Sequence, residues 1–268
     1  MANTAYPLGA QKMLAGANTV DFVTDTIKVA LVSSSYTFST SHEFLSSLGT
    51  VIGTSQPLAN KSVTGGVLDA DDLNYGAIAP GSTIKALVVF KDTGNASTSP
   101  LLFYFDTVTG LPAATNGGVI TVPWGNDVKK IARINLPFYP KGAEKVWGGD
   151  IDFEDDTLKV RLLPSSYTYN AAHEFLSSVS AGIGTDQTLA NKTITGGVFD
   201  ADDAAFGALA SGSTIGSVLI YKDTGSAATS PLLILFTDTI GLPYTTNGAN
   251  YTQQWSNAAA KIFRLIPA

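Results

Sequence analysis

The chain has 268 residues and a formal net charge of −6, and it contains no cysteine and only two histidines. This composition excludes a disulfide framework and a thiolate metal site, and the scattered lysines and arginines argue against a nucleic-acid partner. Charged residues make up 14% of the chain and mean hydropathy is +0.17, so the sequence indicates thick apolar sheets or a large protein interface, not disorder.

The N-terminus and the apolar stretches bear on localisation. Residues 1–20 contain no basic leader followed by a long apolar run, which argues against a secretory signal. The longest apolar stretches, 86–90 and 101–105, are far shorter than a membrane span. We therefore expect a soluble protein that is made in a cytoplasm and has no membrane partner.

Strands dominate the first half of the chain. Alternation over 26–32 predicts a strand with Ile27, Val29 and Leu31 on a core and Ala30 on a solvated face. Segments 83–91 and 100–106 are apolar on both faces and are joined by a loop of small residues, which predicts a central hairpin. The other predicted elements are short helices at 10–15 and at 42–48, the latter with the capping box Thr40-x-x-Glu43, turn-rich short strands over 65–76 and a strand at 131–136.

The second half of the chain repeats the first. Segments 36–47 and 58–61 recur at 167–178 and 189–192 without a gap between them, an alignment that we call the main register. Nearer the N-terminus the alignment shifts, so that Tyr6 corresponds to Tyr139, and we call this the N-terminal register. A repeat unit of this size indicates a tandem duplication of a whole domain.

The repeat sets the domain organisation. Arg161 replaces Ala30 in the main register, as a solvated position would allow. We predict a mainly β protein of two tandem homologous β-sandwich or barrel-like domains. Repeat 1 covers 1–138 with an N-terminal arm at 1–17, and repeat 2 covers 139–268, with a linker at about 136–149.

One Asp-Thr-Gly triplet occurs in each repeat, beginning at Asp92 and at Asp223. Aspartic proteases have this arrangement, in which two close carboxylates share one proton. Here, however, Lys91 and Lys222 directly precede the triplets, and each triplet opens a loop rich in small residues. A hairpin turn, in which the aspartate accepts a backbone amide two residues on, explains the motif better. We predict no catalytic residues and no cofactor.

Two acidic turns are weak calcium candidates. Calcium needs several oxygen ligands around one point, but no EF-hand spacing and no distal glutamate accompany these turns. We expect instead that Arg133 and Arg264, at equivalent places in the last strand of each repeat, pair with the acidic side chains. The candidate ligands are Asp69, Asp71, Asp72, Asp200, Asp202 and Asp203.

The histidines and tryptophans have structural interpretations. His42 and His173 each precede a glutamate, but no His-Glu-x-x-His motif follows, so we expect them to satisfy a backbone or carboxylate partner. Trp124 and Trp255 are expected in the core or at its rim. Trp147 has no equivalent in the other repeat and falls in the linker.

Loose turn and strand motifs over almost all of both repeats resemble a family of small virion structural proteins encoded by tailed bacteriophages. In repeat 1 the matching segments are 27–29, 35–37, 42–46, 90–94, 98–102, 110–112, 116–117, 124 and 130–133. Members of the family look like a single unit, so the fused pair is a departure. A fused pair could cover two quasi-equivalent lattice positions or turn a trimer into a pseudo-hexamer.

The resemblance implies a non-enzymatic virion protein on the surface of the phage head, a decoration or cement protein that binds the major capsid protein, other copies of itself, or both. A tail, neck or fibre component is the alternative, and a carbohydrate-binding or adhesin module is a further one. We expect contacts from the N-terminal arm and the linker through apolar residues. The candidate contact residues are Tyr6, Pro7, Leu8, Met13, Leu14, Phe138, Tyr139 and Trp147.

Overall fold

The structure is a computed structural model, and it describes residues 3–16, 19–126, 130–134, 137–239 and 241–265. It is mainly β, with several antiparallel sheets in two similar sandwich-like groups, so the predicted fold class is confirmed. Among the described residues, no helix is long and apolar enough to cross a membrane.

Repeat 1 consists of short strands around one long hairpin. Its elements are β1 (Thr4–Ala5), α1 (Pro7–Leu14), β2 (Ile27–Ser33), a 3-10 helix (Leu45–Leu48), β3 (Val51–Pro57), β4 (Ser62–Thr64), β5 (Val67–Asp69), β6 (Leu73–Ala77), β7 (Thr83–Lys91), β8 (Leu101–Phe105), β9 (Ala113–Ala114), β10 (Val119–Val122) and β11 (Ala132–Arg133). The main sheet has the order β1-β8-β7-β2-β3, with β9 also paired to β7.

Repeat 2 follows the same plan. Its elements are α2 (Pro140–Trp147), β12 (Leu158–Pro164), a 3-10 helix (Leu176–Ser178), β13 (Gln187–Thr188), β14 (Thr193–Thr195), β15 (Val198–Asp200), β16 (Ala204–Ala208), β17 (Thr214–Lys222), β18 (Leu232–Phe236), β19 (Tyr244–Thr245), β20 (Asn250–Gln253) and β21 (Phe263–Arg264). The main sheet has the order β13-β12-β17-β18, and Phe138 bridges Ile234 as Ala5 of β1 pairs with Phe103.

Both faces of each main sheet are covered. One face packs on a hydrophobic core that runs continuously through both repeats. The opposite face, which we call the outer face, lies under a smaller apolar cluster that includes side chains from the 34–50 loop in repeat 1 and from the corresponding loop in repeat 2. The predicted solvation of this face is therefore wrong. Ala30 is fully buried on this face, and the Arg161 guanidinium forms an ion pair with the Asp186 carboxylate at 2.8 Å.

The predicted helix at 42–48 is largely wrong. Only residues 45–48 are helical, as a 3-10 turn, and no side chain caps it. The chain before this turn is extended, because the Leu45 amide donates to the Ser99 carbonyl and the Leu101 amide donates to the Glu43 carbonyl. Pairing with the strand edge thus overrides the local helix signal. The helix predicted at 10–15 is confirmed as α1, with Pro7 in its first turn.

Each α-helix lies between its own sheet and the other repeat. Gly9 of α1 lies so close to β8 that an added Cβ would be 2.0 Å from the Leu101 carbonyl oxygen, and Gly142 of α2 is in the same position against Leu232. On the other side, α1 contacts β14 and α2 contacts β4. We call this interface between the repeats, formed by α1, α2, β4, β14 and the adjoining turns, the seam.

Candidate functional site

The Asp-Thr-Gly triplets form hairpin turns. The Asp92 carboxylate lies 2.6 Å from the Lys28 ammonium and accepts the Gly94 amide at 3.0 Å. Asp223 repeats this with Lys159 at 2.5 Å and the Gly225 amide at 3.0 Å. These contacts match the turn interpretation of the motif.

The protonation of these two aspartates differs from that of a protease dyad. The lysine partner first, and then the turn amide, hold the pKa of Asp92 and of Asp223 below the usual range. Both carboxylates are therefore ionised at neutral pH. A shared proton would require one of the two pKa values to be raised. That the chain has no enzymatic role stays a prediction.

The acidic turns are tied into their own repeats. In the first, Asp71 accepts the Asn60 side-chain amide at 2.6 Å, Asp72 accepts the Trp124 backbone amide at 2.9 Å, and Asp69 lies 3.6 Å from the Lys130 ammonium. The equivalent contacts in repeat 2 are those of Asp202 with Asn191, Asp203 with Trp255 and Asp200 with Lys261.

These contacts bear on the calcium and arginine predictions. The expected partners Arg133 and Arg264 are wrong, because Lys130 and Lys261 pair with the turns instead. Lys130 and Lys261 lie just before the arginines and are also at equivalent positions, so equivalence alone does not identify the partner. In the described part of the chain, no group of three or more acidic, histidine or cysteine side chains is placed to hold a metal ion.

Each histidine ends a chain of hydroxyl groups. Tyr6 and Tyr36 are joined at 2.8 Å between their hydroxyls, and Tyr36 is 2.8 Å from Nδ1 of His42. The same chain in repeat 2 joins Tyr139, Tyr167 and His173. Burial raises the pKa of Tyr6 and of Tyr139, so both hydroxyls stay neutral. The histidines thus have a structural place, although the partner is a tyrosine hydroxyl and not the backbone or carboxylate group that we expected.

Most of the predicted partner-contact side chains lie inside the protein. Those buried are Tyr6, Met13, Leu14, Phe138, Tyr139 and Trp147, while Pro7 and Leu8 are half-buried. Of the predicted arm at 1–17, residues 7–14 form α1, which packs on both repeats. The apolar character that suggested a capsid contact is therefore used within the chain, at the seam.

Trp147 shows how the seam is built. Its indole Nε1 donates to the Gly66 carbonyl at 2.8 Å, and its ring meets Phe22 at 5.0 Å and Phe103 at 6.0 Å between centroids. A residue at the end of α2 in repeat 2 therefore fills the core of repeat 1. Its counterpart in the N-terminal register is Leu14, also fully buried.

The contacts across the seam are reciprocal. The Phe22 amide donates to the Trp147 carbonyl at 2.9 Å, and the equivalent Phe153 amide donates to the Leu14 carbonyl at 3.0 Å. Gly66 lies against α2, and the equivalent Gly197 lies against α1. Each contact between the two repeats is thus made a second time by the equivalent residues, with the repeats exchanged. Such reciprocal contacts define an isologous interface with approximate two-fold symmetry. The strands and loops that lie away from the seam therefore occur twice, once in each repeat.

Two small grooves lie at equivalent places along the seam. One, of about 250 Å³, is lined by Val23 of repeat 1 and by α2 and Glu174 of repeat 2. The other, of about 220 Å³, is lined by Glu154 of repeat 2 and by α1 and Glu43 of repeat 1. One glutamate in each groove forms an ion pair with a lysine of the helix. Glu43 lies 3.0 Å from Lys12 of α1, and Glu174 lies 3.6 Å from Lys145 of α2.

Sequence reasoning missed the seam, although the sequence contains a signal for it. The N-terminal register that relates Tyr6 to Tyr139 also relates α1 to α2, and it places Leu14 opposite Trp147. Both segments carry a glycine followed by an alanine, which permits close packing on two sides.

No protein-family model matches the chain, and no curated protein matches it.

Proposed function

We propose that the chain is a non-enzymatic structural protein of a tailed-bacteriophage particle, a head decoration or cement protein that binds the major capsid protein lattice. The observation that carries this proposal is the reciprocal seam, which fixes two similar β domains in one body with approximate two-fold symmetry. A partner that is itself repeated in a lattice can engage both domains at once.

Two linked binding surfaces favour a lattice partner for a physical reason. Once one domain is bound, the second binds at a high effective concentration, so the pair holds more tightly than either domain alone. The shared core keeps the spacing of the two surfaces fixed, because Trp147, in the segment that joins the repeats, is packed in that core. In this proposal, the protein bridges neighbouring capsid subunits and strengthens the shell against internal pressure.

Quantitative mass spectrometry of purified particles tests the proposal. A ratio of this chain to the major capsid protein near one, or near a simple fraction, is expected for a decoration protein. A handful of copies for each particle would favour the alternative, a tail, neck or fibre component. Absence from particles would refute a virion role altogether.

A carbohydrate-binding or adhesin module is the less favoured alternative. Such modules stack sugars on exposed aromatic side chains, and among the described residues Tyr169 is the one aromatic side chain that is exposed. Trp124 and Trp255 are buried in the core. Particle binding that is unchanged by enzymatic removal of glycans, together with a lattice stoichiometry, is expected under the proposal and would exclude this alternative.

A further inference from the structure

The two repeats differ sharply at one place on the outer face. In repeat 1 the Tyr104 ring fills this place and meets Phe38 at 5.2 Å and Tyr36 at 6.0 Å between centroids. Lys85 crosses the same face and donates to the Tyr36 carbonyl at 2.9 Å. In the main register, repeat 2 has Leu235 in place of Tyr104 and Gly216 in place of Lys85.

These two truncations leave a groove in repeat 2. Two adjoining cavities, of about 610 Å³ and about 270 Å³, share Tyr169, Leu235 and Thr237 in their walls. The aromatic residues beside them are more exposed than their counterparts. Tyr169 is 37% exposed whereas Phe38 is half-buried, and Tyr167 is half-buried whereas Tyr36 is buried. We call the joint space the outer-face groove.

The backbone of repeat 2 is adapted to this shape. An added Cβ at Gly216 would lie 2.5 Å from Cα of Ser165, so the two chain segments approach too closely for any side chain there. The present backbone of repeat 2 therefore leaves no room at Gly216 for a side chain equivalent to Lys85. The part of the groove beside Gly216 therefore follows from the sequence.

The groove is mainly apolar, and its wall carries one charged side chain. Leu235 and Tyr169 provide apolar surface, and the remaining walls are mostly prolines and hydroxyl side chains: Pro137, Pro164, Pro243, Ser165, Ser217 and Thr237. Asp238 lines the larger cavity and is exposed. The space suits one or two bulky apolar side chains, and the carboxylate suits a neighbouring cation.

We propose that the outer-face groove of repeat 2 binds an extended segment of the capsid partner, with a bulky apolar side chain against Leu235 and Tyr169 and an adjacent lysine or arginine at Asp238. Charge complementarity supports this occupant, because Asp238 is an exposed carboxylate in the groove wall and the chain carries a net charge of −6. This inference rests on the proposed function. It adds that the two repeats bind unequally, with repeat 2 supplying the pocket.

The test compares full-length variants for binding to purified particles that lack the chain. Leu235→Tyr fills the groove with the ring that repeat 1 carries, and Tyr169→Ala removes an exposed wall with little risk to folding. Tyr104→Leu, the matched change in repeat 1, is the control. Because the added ring would take the space of a buried apolar side chain of the partner, we expect Leu235→Tyr to weaken binding by about 10-fold or more. Tyr104→Leu should leave a folded protein that binds no more weakly.

The outcomes separate the two proposals. If wild type binds particles and neither Leu235→Tyr nor Tyr169→Ala weakens binding, the groove assignment is overturned while the proposed function stands. If wild type itself does not bind, the proposed function fails, and the groove assignment fails with it. Self-association of the chain without particles that Leu235→Tyr abolishes would also overturn it, because the occupant would then be a second copy.

Discussion

Replacing Gly66 by alanine tests whether the seam is packed as tightly as the structure indicates. Gly66 has φ of +78°, and an added Cβ would lie 2.7 Å from Cβ of Ala143 and 3.0 Å from the Ile134 carbonyl oxygen. Alanine in this backbone conformation costs about 1–2 kcal/mol. Overpacking against α2 adds about 1–3 kcal/mol. We expect Gly66→Ala to lower the free energy of unfolding by about 2–5 kcal/mol in urea titrations followed by tryptophan fluorescence.

The neighbouring glycine provides the control. Gly65 has φ of +61°, but an added Cβ there would meet no atom within 4 Å. Gly65→Ala should therefore show the backbone cost alone. Adding Ala143→Gly to Gly66→Ala should recover part of the lost stability, because it removes the atom that clashes. If Gly65→Ala and Gly66→Ala destabilise the protein equally, within about 0.5 kcal/mol, the close packing of α2 on repeat 1 is refuted.

Two further predictions concern Trp147 and the paired aspartates. Trp147→Ala should lower the free energy of unfolding by about 3–5 kcal/mol, because it opens a cavity in the core of repeat 1. By contrast, Val23→Ala on the nearby surface should change it by less than about 0.5 kcal/mol in the same titration. The double variant Asp92→Asn/Asp223→Asn keeps the turn acceptors and removes two ion pairs, so it should be less stable than wild type by about 1 kcal/mol at pH 7. Since the pKa of each aspartate is lowered on folding, this difference is present above the unfolded pKa of about 3.9 and should shrink as pH falls through the folded values. A difference at pH 2 as large as that at pH 7 would contradict the ion-pair explanation.

The central hairpin was predictable because its signal is local and strong. Segment 83–91 is apolar on both sides of the alternation, and β7 has the same bounds, with β2 and β8 on either side of it. A strand that is buried on both faces needs apolar side chains on both sides, whichever segments of the chain supply the neighbouring strands. The turns after Asp92 and Asp223 were predictable for the same reason, since an aspartate two residues before a glycine amide closes the turn by itself.

The errors lie where distant parts of the chain decide the structure. The alternation of β2 and β12 predicts a solvated face at Ala30 and Arg161, because one strand cannot show that a loop folds over it. The extended chain at Glu43 depends on pairing with the strand edge at Leu101, which outweighs a capping box. The sequence places Trp147 in a linker, whereas the structure buries it in the core of repeat 1. In each case the local pattern indicates one structure and a tertiary contact imposes another.

The repeats differ both at the seam and on the outer faces. At the seam Leu14 stands where repeat 2 has Trp147, while Gly66 and Gly197, which lie against Ala143 and Ala10, are equivalent. On the outer faces, the ion pair of Arg161 with Asp186 occurs only in repeat 2. Repeat 1 has Ala30 and Ser55 at the equivalent positions. Two separate but identical subunits could not differ in this way. Fusion of the repeats therefore permits one body with approximate two-fold packing inside and two unequal surfaces outside.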